Sequence, residues 1–238
     1  VFSSLASVDD NGMIKFIDAK GNVVIDLNIP YITGAEGYVF HNGHCVIHNN
    51  KRDKFGLIDK KGNWMLKAEY DVISPKDSFF VVSKGGMQSV LTENLKPILP
   101  FMEADLWISG NSITATMKDH TLRKYNLQGE LIDDFLISNV DRLLYDTDEI
   151  RYTTAKNYDD EGNLTGETAE AEPTPYQKTA SCKKYEADLG WYGLMSPSGK
   201  VITPPRYCDI TAIGYDLYLC KTDDIRGEVL NGKGVRVR

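Results

Sequence analysis

The feature that most constrains this chain is an internal repeat. Residues 55–73 align without a gap on residues 192–210. Each copy has a short apolar stretch, a polar turn that closes on a glycine, a second apolar stretch and a tyrosine before a third one. A unit of this size cannot bury its apolar face alone, so several units must pack together to make a core. The sequence therefore predicts a repeat protein.

Weaker copies fill much of the remaining chain. They begin at Ile14, Ser89 and Leu122, and a half copy follows from Arg226 to Val235. The copies recur at intervals of about 33 to 41 residues, a spacing typical of repeat architectures. One longer interval, between the copies at Leu122 and Tyr192, indicates an insertion.

The composition of the copies favours β-strands. Most of the turns open on Asp, Asn or Ser and close on glycine, which is the chemistry of hairpin turns. Runs such as 23–25, 79–82 and 218–220 are β-branched or aromatic and have strand length. No segment has a sustained period of 3.6 residues. We predict an all-β fold with little helix.

The two best copies share the same order of sequence motifs. The first reads Phe55-Gly56, strand, turn, strand and Tyr70, and the second reads Tyr192-Gly193 through to Pro204-Pro205-Arg206-Tyr207. This order resembles the WG-repeat family of bacterial proteins, and the likeness extends more faintly over most of the chain outside 154–186. Most members of that family have unknown functions, so the resemblance implies an architecture and almost no chemistry.

We expect one repeat domain over 1–238, built from tandem WG-type β-hairpin repeats. The expected units are 10–50, 51–86, 87–120, 121–153 and 187–222, with a last unit, 223–238, completed by residues 1–9. Because the last unit lacks a strand that the N-terminal segment could supply, we expect a closed six-bladed β-propeller-like ring. An open β-hairpin solenoid is the alternative.

Residues 154–186 break the repeat pattern. Six acidic residues fall between Asp159 and Glu172, and the stretch has little to bury. It predicts an acidic loop or protruding β-ribbon that turns at residues 161–163. Because insertions in compact repeats often carry binding, Tyr158, Asp159, Asp160 and Glu161 are candidate ligand contacts.

The same turn begins like a calcium-binding loop. Asn157, Asp159 and Glu161 alternate before Gly162, as the ligands of such a loop do. The twelfth position is Thr168, however, where the loop needs a bidentate Glu. We therefore expect a solvated acidic turn.

Two histidines flank a second predicted turn. If Asn42-Gly43 forms a type I′ turn, His41 and His44 lie directly across the hairpin, with Cβ atoms about 5 Å apart. This pair is a candidate metal site. His48 would lie about 13 Å further along the strand, too far to join it, and zinc needs three or four convergent ligands. The expectation is polar histidines beside a turn, with the metal as the alternative and no cofactor.

The three tryptophans differ in their surroundings. Trp64 and Trp191 fall in or beside strands of the repeat units and are expected to fill interfaces between them. Trp107 comes just before the Ser109-Gly110-Asn111 turn. It is the best candidate for an exposed aromatic platform that contacts a ligand.

Charge and motifs narrow the function classes. The chain has 27 Lys and Arg against 34 Asp and Glu, a net charge of −7, which argues against a nucleic-acid partner. No apolar run approaches the roughly 20 residues that span a bilayer. Neither a G-x-S-x-G elbow nor a phosphate-binding loop occurs. The four cysteines have irregular spacings, so we expect thiols, with a disulfide as the alternative.

We therefore expect a non-enzymatic, monomeric binding or scaffold module whose partner is a protein or a glycan surface. One alternative is a hydrolase or lyase that acts on polysaccharide at a site in a central channel. Another is a structural spacer within a longer protein. The location is open, although the missing initiator Met and the bacterial resemblance favour export.

Overall fold

The computed structural model describes residues 5–32, 37–152, 154–169 and 173–237. Within these residues all regular secondary structure consists of β-strands. The strands pair into six antiparallel sheets and one two-stranded ribbon. The all-β prediction is therefore confirmed. No helix in the described ranges is long and apolar enough to cross a membrane.

Contacts divide the chain into two compact units, each with its own buried core. The first unit comprises the described residues up to Met117 together with Arg123–Asp133. The second comprises Lys118–Leu122 and the described residues from Asp134 onwards.

The first unit contains four sheets whose strands pair in chain order, except that Leu122, which begins a strand of the fourth sheet, belongs to the second unit. They are β1-β2-β3, β4-β5-β6-β7, β8-β9-β10-β11 and β12-β13-β14-β15. The strand bounds are Ala6–Asp10 (β1), Met13–Ile17 (β2), Val23–Pro30 (β3), Phe40–His41 (β4), His44–His48 (β5), Phe55–Asp59 (β6), Trp64–Tyr70 (β7), Val72–Lys76 (β8), Phe79–Lys84 (β9), Met87–Thr92 (β10), Pro97–Met102 (β11), Ala104–Ser109 (β12), Ser112–Met117 (β13), Leu122–Asn126 (β14) and Leu131–Asp133 (β15).

The second unit contains two sheets and the ribbon. The sheets are β16-β19-β20 and β21-β22-β23, and the ribbon is β17-β18. The strand bounds are Asn139–Arg151 (β16), Thr154–Tyr158 (β17), Leu164–Ala169 (β18), Thr174–Glu186 (β19), Tyr192–Met195 (β20), Asp209–Gly214 (β21), Leu217–Lys221 (β22) and Gly227–Asn231 (β23).

The sheets begin at different residues from the predicted units. Gly56, Gly193 and Gly227 each lie in the third strand of a sheet, so the predicted unit 51–86 contains the last two strands of one sheet and the first two of the next. In these three sheets the motif glycine therefore marks the third strand.

The two ends of the chain lie in different sheets. Of the residues 1–9 that were predicted to complete the last unit, 1–4 lie outside the described ranges, and β1 pairs with β2 in the first sheet. The last sheet is extended by a bridge between Leu230 and Arg236. Among the described strands, no sheet combines the two ends, so closure of a ring stays a prediction.

A carboxylate closes the hairpin turns in the way that the sequence predicts. Asp59 Oδ1 accepts hydrogen bonds from the amides of Lys61 (2.8 Å) and Asn63 (2.9 Å), and Oδ2 accepts one from Asn63 Nδ2 (3.0 Å). Gly62 has a φ of 83°. The same contacts recur in the turns of residues 18–22 and 159–163.

The predicted insertion is partly a ribbon and partly core. β17 and β18 form a hairpin that turns at 159–163, as an exposed ribbon would. The end of β19, however, pairs with β16 and β20, and its Ala180, Cys182 and Tyr185 are buried. This end was assigned to the insertion because it carries no repeat motif.

Candidate functional site

The first strands of neighbouring sheets turn apolar side chains outward in the first unit. In β12 the side chains alternate, so that Leu106 and Ile108 are buried while Trp107 is 59% exposed. Val72 in β8 is 51% exposed, and Val39, next to β4, is 52% exposed. Exposed apolar residues on or beside three successive first strands form a surface that the core does not require.

Trp107 lies in a groove of about 400 Å³. Val72 and Ser74 of β8, Val81 of β9 and Gln88 of β10 line it together with the indole. The groove is therefore formed by the third and fourth sheets. Its walls are mainly aliphatic, with polar groups in the minority.

Gln88 fixes one wall of this groove. Its Nε2 donates to Asp105 Oδ1 (3.2 Å), and its Oε1 accepts from the amide of Leu106 (2.8 Å). Since β12 is an edge strand, that amide would otherwise lack a partner in the sheet. The amide side chain thus holds the Asp105 side chain and the backbone of Leu106, the residue before Trp107.

A second hollow of about 660 Å³ adjoins the first and shares Pro75 with it. His41 of β4, Lys60 and Asp77 also line it. Asn42 Nδ2 donates to the carbonyl of Asp77 (3.1 Å), which ties the two hairpin tips together. A third hollow of about 350 Å³, which Tyr38 and Val39 line, shares His41 and Pro75. We call these three hollows the first-strand groove.

The histidine hairpin has the predicted register. Asn42 and Gly43 both have positive φ, and His41 pairs directly with His44. The two rings have different surroundings, because His41 is exposed in the groove whereas His44 lies edge-on to Phe80 at 5.7 Å. His44 Nδ1 is buried and has no hydrogen-bond partner in the described part of the chain.

These histidines do not belong to a larger ligand set in the structure. Among the described residues, no group of three or more His, Cys, Asp or Glu side chains could hold a metal ion. Bound zinc would need its remaining ligands from elsewhere. A metal at His41 and His44 therefore stays a prediction.

His48 is a core residue and not a polar residue beside a turn. It is buried, its Nδ1 lies 2.8 Å from the carbonyl of Asn49, and its Nε2 lies 2.7 Å from Tyr38 Oη. A carbonyl can only accept, so Nδ1 carries the proton and Nε2 accepts from the tyrosine. Burial raises the pKa of Tyr38, which keeps this hydroxyl a donor.

The predicted contacts in the ribbon lie in the second unit. Tyr158 is exposed, as are Asp160 and Glu161. Asp159 uses both carboxylate oxygens inside its own turn, where hydrogen bonds from Asn163 lower its pKa. Asp159 is therefore a structural residue of the turn, while its three neighbours are free to meet solvent. Trp107 belongs to the other unit.

The expectation for the other tryptophans is wrong for Trp64, which is 40% exposed on β7. Trp191 is half-buried and stacks on His120, with ring centroids 3.7 Å apart and an angle of 10°. His120 Nδ1 lies 3.4 Å from Asp188 Oδ2 in the same unit. All four cysteines are free thiols.

The family model for the WG containing repeat matches residues 55–87 and 192–224. These two stretches match WG repeats. The suspected resemblance is thereby confirmed at the two copies that carried it. No curated protein matches this chain.

Solved structures give distant likenesses. The designed protein Ika8 is 15% identical, with 100% of this chain and 84% of that chain covered and a TM-score of 0.33. BamB from Moraxella catarrhalis is 10% identical, with 99% and 66% covered and a TM-score of 0.33. Hsv2p from Kluyveromyces lactis is 10% identical, with 97% and 72% covered and a TM-score of 0.32. Likenesses at these TM-scores carry no argument about fold or function.

Sequence reasoning found Trp107 and His41 but missed the residues between them. Val72 and Ile73 are adjacent apolar residues in one strand, and successive side chains of a strand point to opposite faces. Leu57 and Ile58 in β6 are also adjacent apolar residues and both are buried, so this pattern does not mark Val72 as exposed. The role of Gln88 had no signal in the sequence either, because its partners lie in the next sheet.

Proposed function

We propose that this WG-repeat protein is a non-enzymatic binding module that holds an extended apolar segment of another protein in the first-strand groove. The observation that carries the proposal is the exposure of Trp107 beside Val72 on neighbouring first strands. Contiguous exposed apolar residues mark interaction surfaces, and tryptophan is enriched among the residues that dominate binding energy.

The lining of the hollow around Trp107 favours a protein over a glycan. The indole is surrounded by the aliphatic Val72, Pro75 and Val81, which suit apolar side chains. Sugar recognition needs polar groups that fix hydroxyls in place. Of the four polar side chains that line this hollow, Ser74, Lys76, Ser83 and Gln88, the last already bonds Asp105 and a backbone amide. An extended segment also matches a groove that follows the edge strands β8 and β12.

The carboxyl groups whose pKa is shifted have structural roles. A general acid at neutral pH needs a raised pKa. Among the described carboxyl groups with a shifted pKa, such as Asp59, Glu69 and Asp71, the pKa is lowered by hydrogen bonds in turns or to lysines. These groups are suited to holding structure at neutral pH.

The test is selection of peptides from a phage-displayed random library on the intact protein, followed by calorimetric titration of the selected peptides. We expect sequences rich in aromatic and aliphatic residues. Trp107→Ala should weaken their binding at least about tenfold, because loss of a buried interface tryptophan costs more than about 1.4 kcal/mol.

Trp64→Ala is the matched control, since Trp64 is also exposed but lies outside the groove. Equal losses in both variants would contradict the proposal. Titration with cellohexaose and chitohexaose tests the glycan alternative. Binding of either sugar that depends on Trp107, without selectable peptides, would replace the protein partner by a glycan.

A further inference from the structure

The second unit contains a pocket lined by three arginines. Its volume is about 280 Å³, and Arg206, Arg226 and Arg236 line it together with Thr222 and Glu228. Three positive side chains face one carboxylate, in a chain whose net charge is −7. We propose that this pocket binds a tetrahedral oxyanion, a phosphate or sulfate group carried by a larger ligand.

Arg206 is held in place before any ligand arrives. Its Nε and Nη2 donate to Tyr207 Oη (3.0 and 2.7 Å), Nη2 also reaches Glu228 Oε1 (3.0 Å), and the guanidinium lies 5.1 Å from the centre of the tyrosine ring. Tyr207 is fully buried and donates its own hydroxyl proton to Glu228 Oε1 (2.6 Å). This network orients the guanidinium, so little conformational entropy is lost on binding.

Arg226 is positioned by its own turn. Its Nε donates to Asp223 Oδ2 (2.7 Å) and its backbone amide to Asp223 Oδ1 (2.6 Å). No further hydrogen bond of its guanidinium is found in the described part of the chain. Its two terminal amino groups are therefore available to a ligand.

Arg236 provides the uncompensated charge. Its backbone is fixed by the bridge to Leu230 and by the next amide, since Val237 N donates to Val229 O (2.8 Å). Its guanidinium makes no ion pair with any described residue. Glu228 and Asp223 neutralise the other two arginines, so Arg236 makes the site net positive.

The chemistry of guanidinium selects the ligand class. Its planar fork of N–H donors bonds two oxygens of one phosphate or sulfate at once, and several forks can share a tetrahedral group. Glu228 already supplies a carboxylate opposite Arg206. A tetrahedral group also offers more acceptor oxygens to the three arginines than a carboxylate does.

The experiment is an NMR titration of the intact ¹⁵N-labelled protein that follows the arginine Nε–Hε resonances. The probes are inorganic phosphate, sulfate and acetate, with sodium chloride added to hold ionic strength constant. We expect saturable shifts at Arg226 and Arg236 with phosphate or sulfate, and at least tenfold weaker binding of acetate. Arg236→Gln should weaken phosphate binding at least fivefold.

Arg142→Gln is the matched control, because Arg142 is an exposed arginine of the same unit that does not line the pocket. Equal weakening in both variants, shifts that do not saturate, or equal affinity for acetate would overturn the proposal. If Arg236→Gln lowers the unfolding temperature, Arg226→Gln repeats the test. O-phosphoserine and galactose 6-sulfate then distinguish a phosphorylated protein from a sulfated glycan as the source of the group.

Discussion

The two matched WG repeats, 55–87 and 192–224, place the same motif in the same strand but use its glycine differently. A Cβ on Gly56 would lie 2.8 Å from the backbone nitrogen of Ala68 in the paired strand. A Cβ on Gly193 would instead lie 2.5 Å from the ring of Tyr185. One glycine makes room for a backbone and the other for a side chain.

This difference teaches that a shared motif position need not have a shared cause. A backbone in the middle of a sheet cannot move without breaking its ladder. A side chain can be replaced by a smaller one. A second substitution that shrinks the contacted side chain should therefore relieve an alanine at position 193 but not one at position 56.

The largest effect is expected for Gly56→Ala. The added methyl group would push against the backbone of β7, which has no smaller form, so we expect a loss of at least about 3 kcal/mol in the free energy of unfolding. Urea denaturation measures it. Gly166→Ala is the control, because Gly166 lies in a strand with open space around its Cα. A change below about 1 kcal/mol for Gly56→Ala would show that the strands can separate.

Gly193→Ala should cost slightly less, about 2 to 3 kcal/mol, because the Tyr185 ring can shift a little. Tyr185→Leu alone is also destabilising, since it removes a buried ring and its hydrogen bond to the Thr203 carbonyl (2.5 Å). The double variant should be less destabilised than the sum of the two by at least about 1 kcal/mol. Strict additivity in the same urea measurements would contradict the ring as the cause.

The turn glycines of the two repeats should differ by a smaller amount. Gly62 and Gly199 have φ of 83° and 89°, so alanine is strained at both. A Cβ on Gly62 would also meet Ile25 at 2.9 Å, whereas Gly199 has open space. We expect Gly62→Ala to cost about 2 kcal/mol and Gly199→Ala about 1 kcal/mol. Equal thermal shifts would remove Ile25 from this explanation.

The smallest expected difference is in pH dependence. Hydrogen bonds from Asn63 lower the pKa of Asp59, while the equivalent Ser196, whose Oγ accepts from the amide of Lys200 (3.0 Å), does not titrate. Because the pKa of Asp59 is lower in the folded protein than in the unfolded chain, where it is near 4, its ionised form stabilises the fold. This stabilisation is complete above the unfolded-state pKa and is lost as the pH falls through the folded-state pKa. Asp59→Ser should therefore flatten the decline in stability between about pH 5 and pH 2.

Ser196→Asp is the reciprocal variant and should steepen the same decline. Unfolding in urea at several pH values measures both slopes. Unchanged slopes in both variants would mean that the carboxylate of the turn makes no net contribution to folding.

Local features were predictable because they depend on neighbours in the chain. The Asn42-Gly43 turn placed His41 opposite His44, as backbone geometry requires. One turn forms without its glycine. Leu95 occupies the glycine position with a φ of 63°, and the turn still closes by a hydrogen bond from the amide of Thr92 to the carbonyl of Lys96. There the conformation is imposed by the flanking strands, which offset the strain.

Features made by separate segments were not predictable. Residues 180–186 were assigned to an insertion, although burial places them in the core of the second unit. The hydrogen-bond network of the arginine pocket joins Arg206 and Tyr207, which belong to one repeat motif, to Glu228, which lies 21 residues after Tyr207. Their proximity follows from the pairing of whole strands.

The amino-acid sequence alone determined the strand period, the turns and the repeat, because these follow from residue types within a few positions of one another. Only the tertiary structure decided which apolar side chains remain outside. Each sheet has two faces, and packing against the next sheet covers some side chains while it leaves Val72 in solvent. Whether a side chain is buried depends on the neighbouring sheet, and the sequence of a single strand does not specify that neighbour.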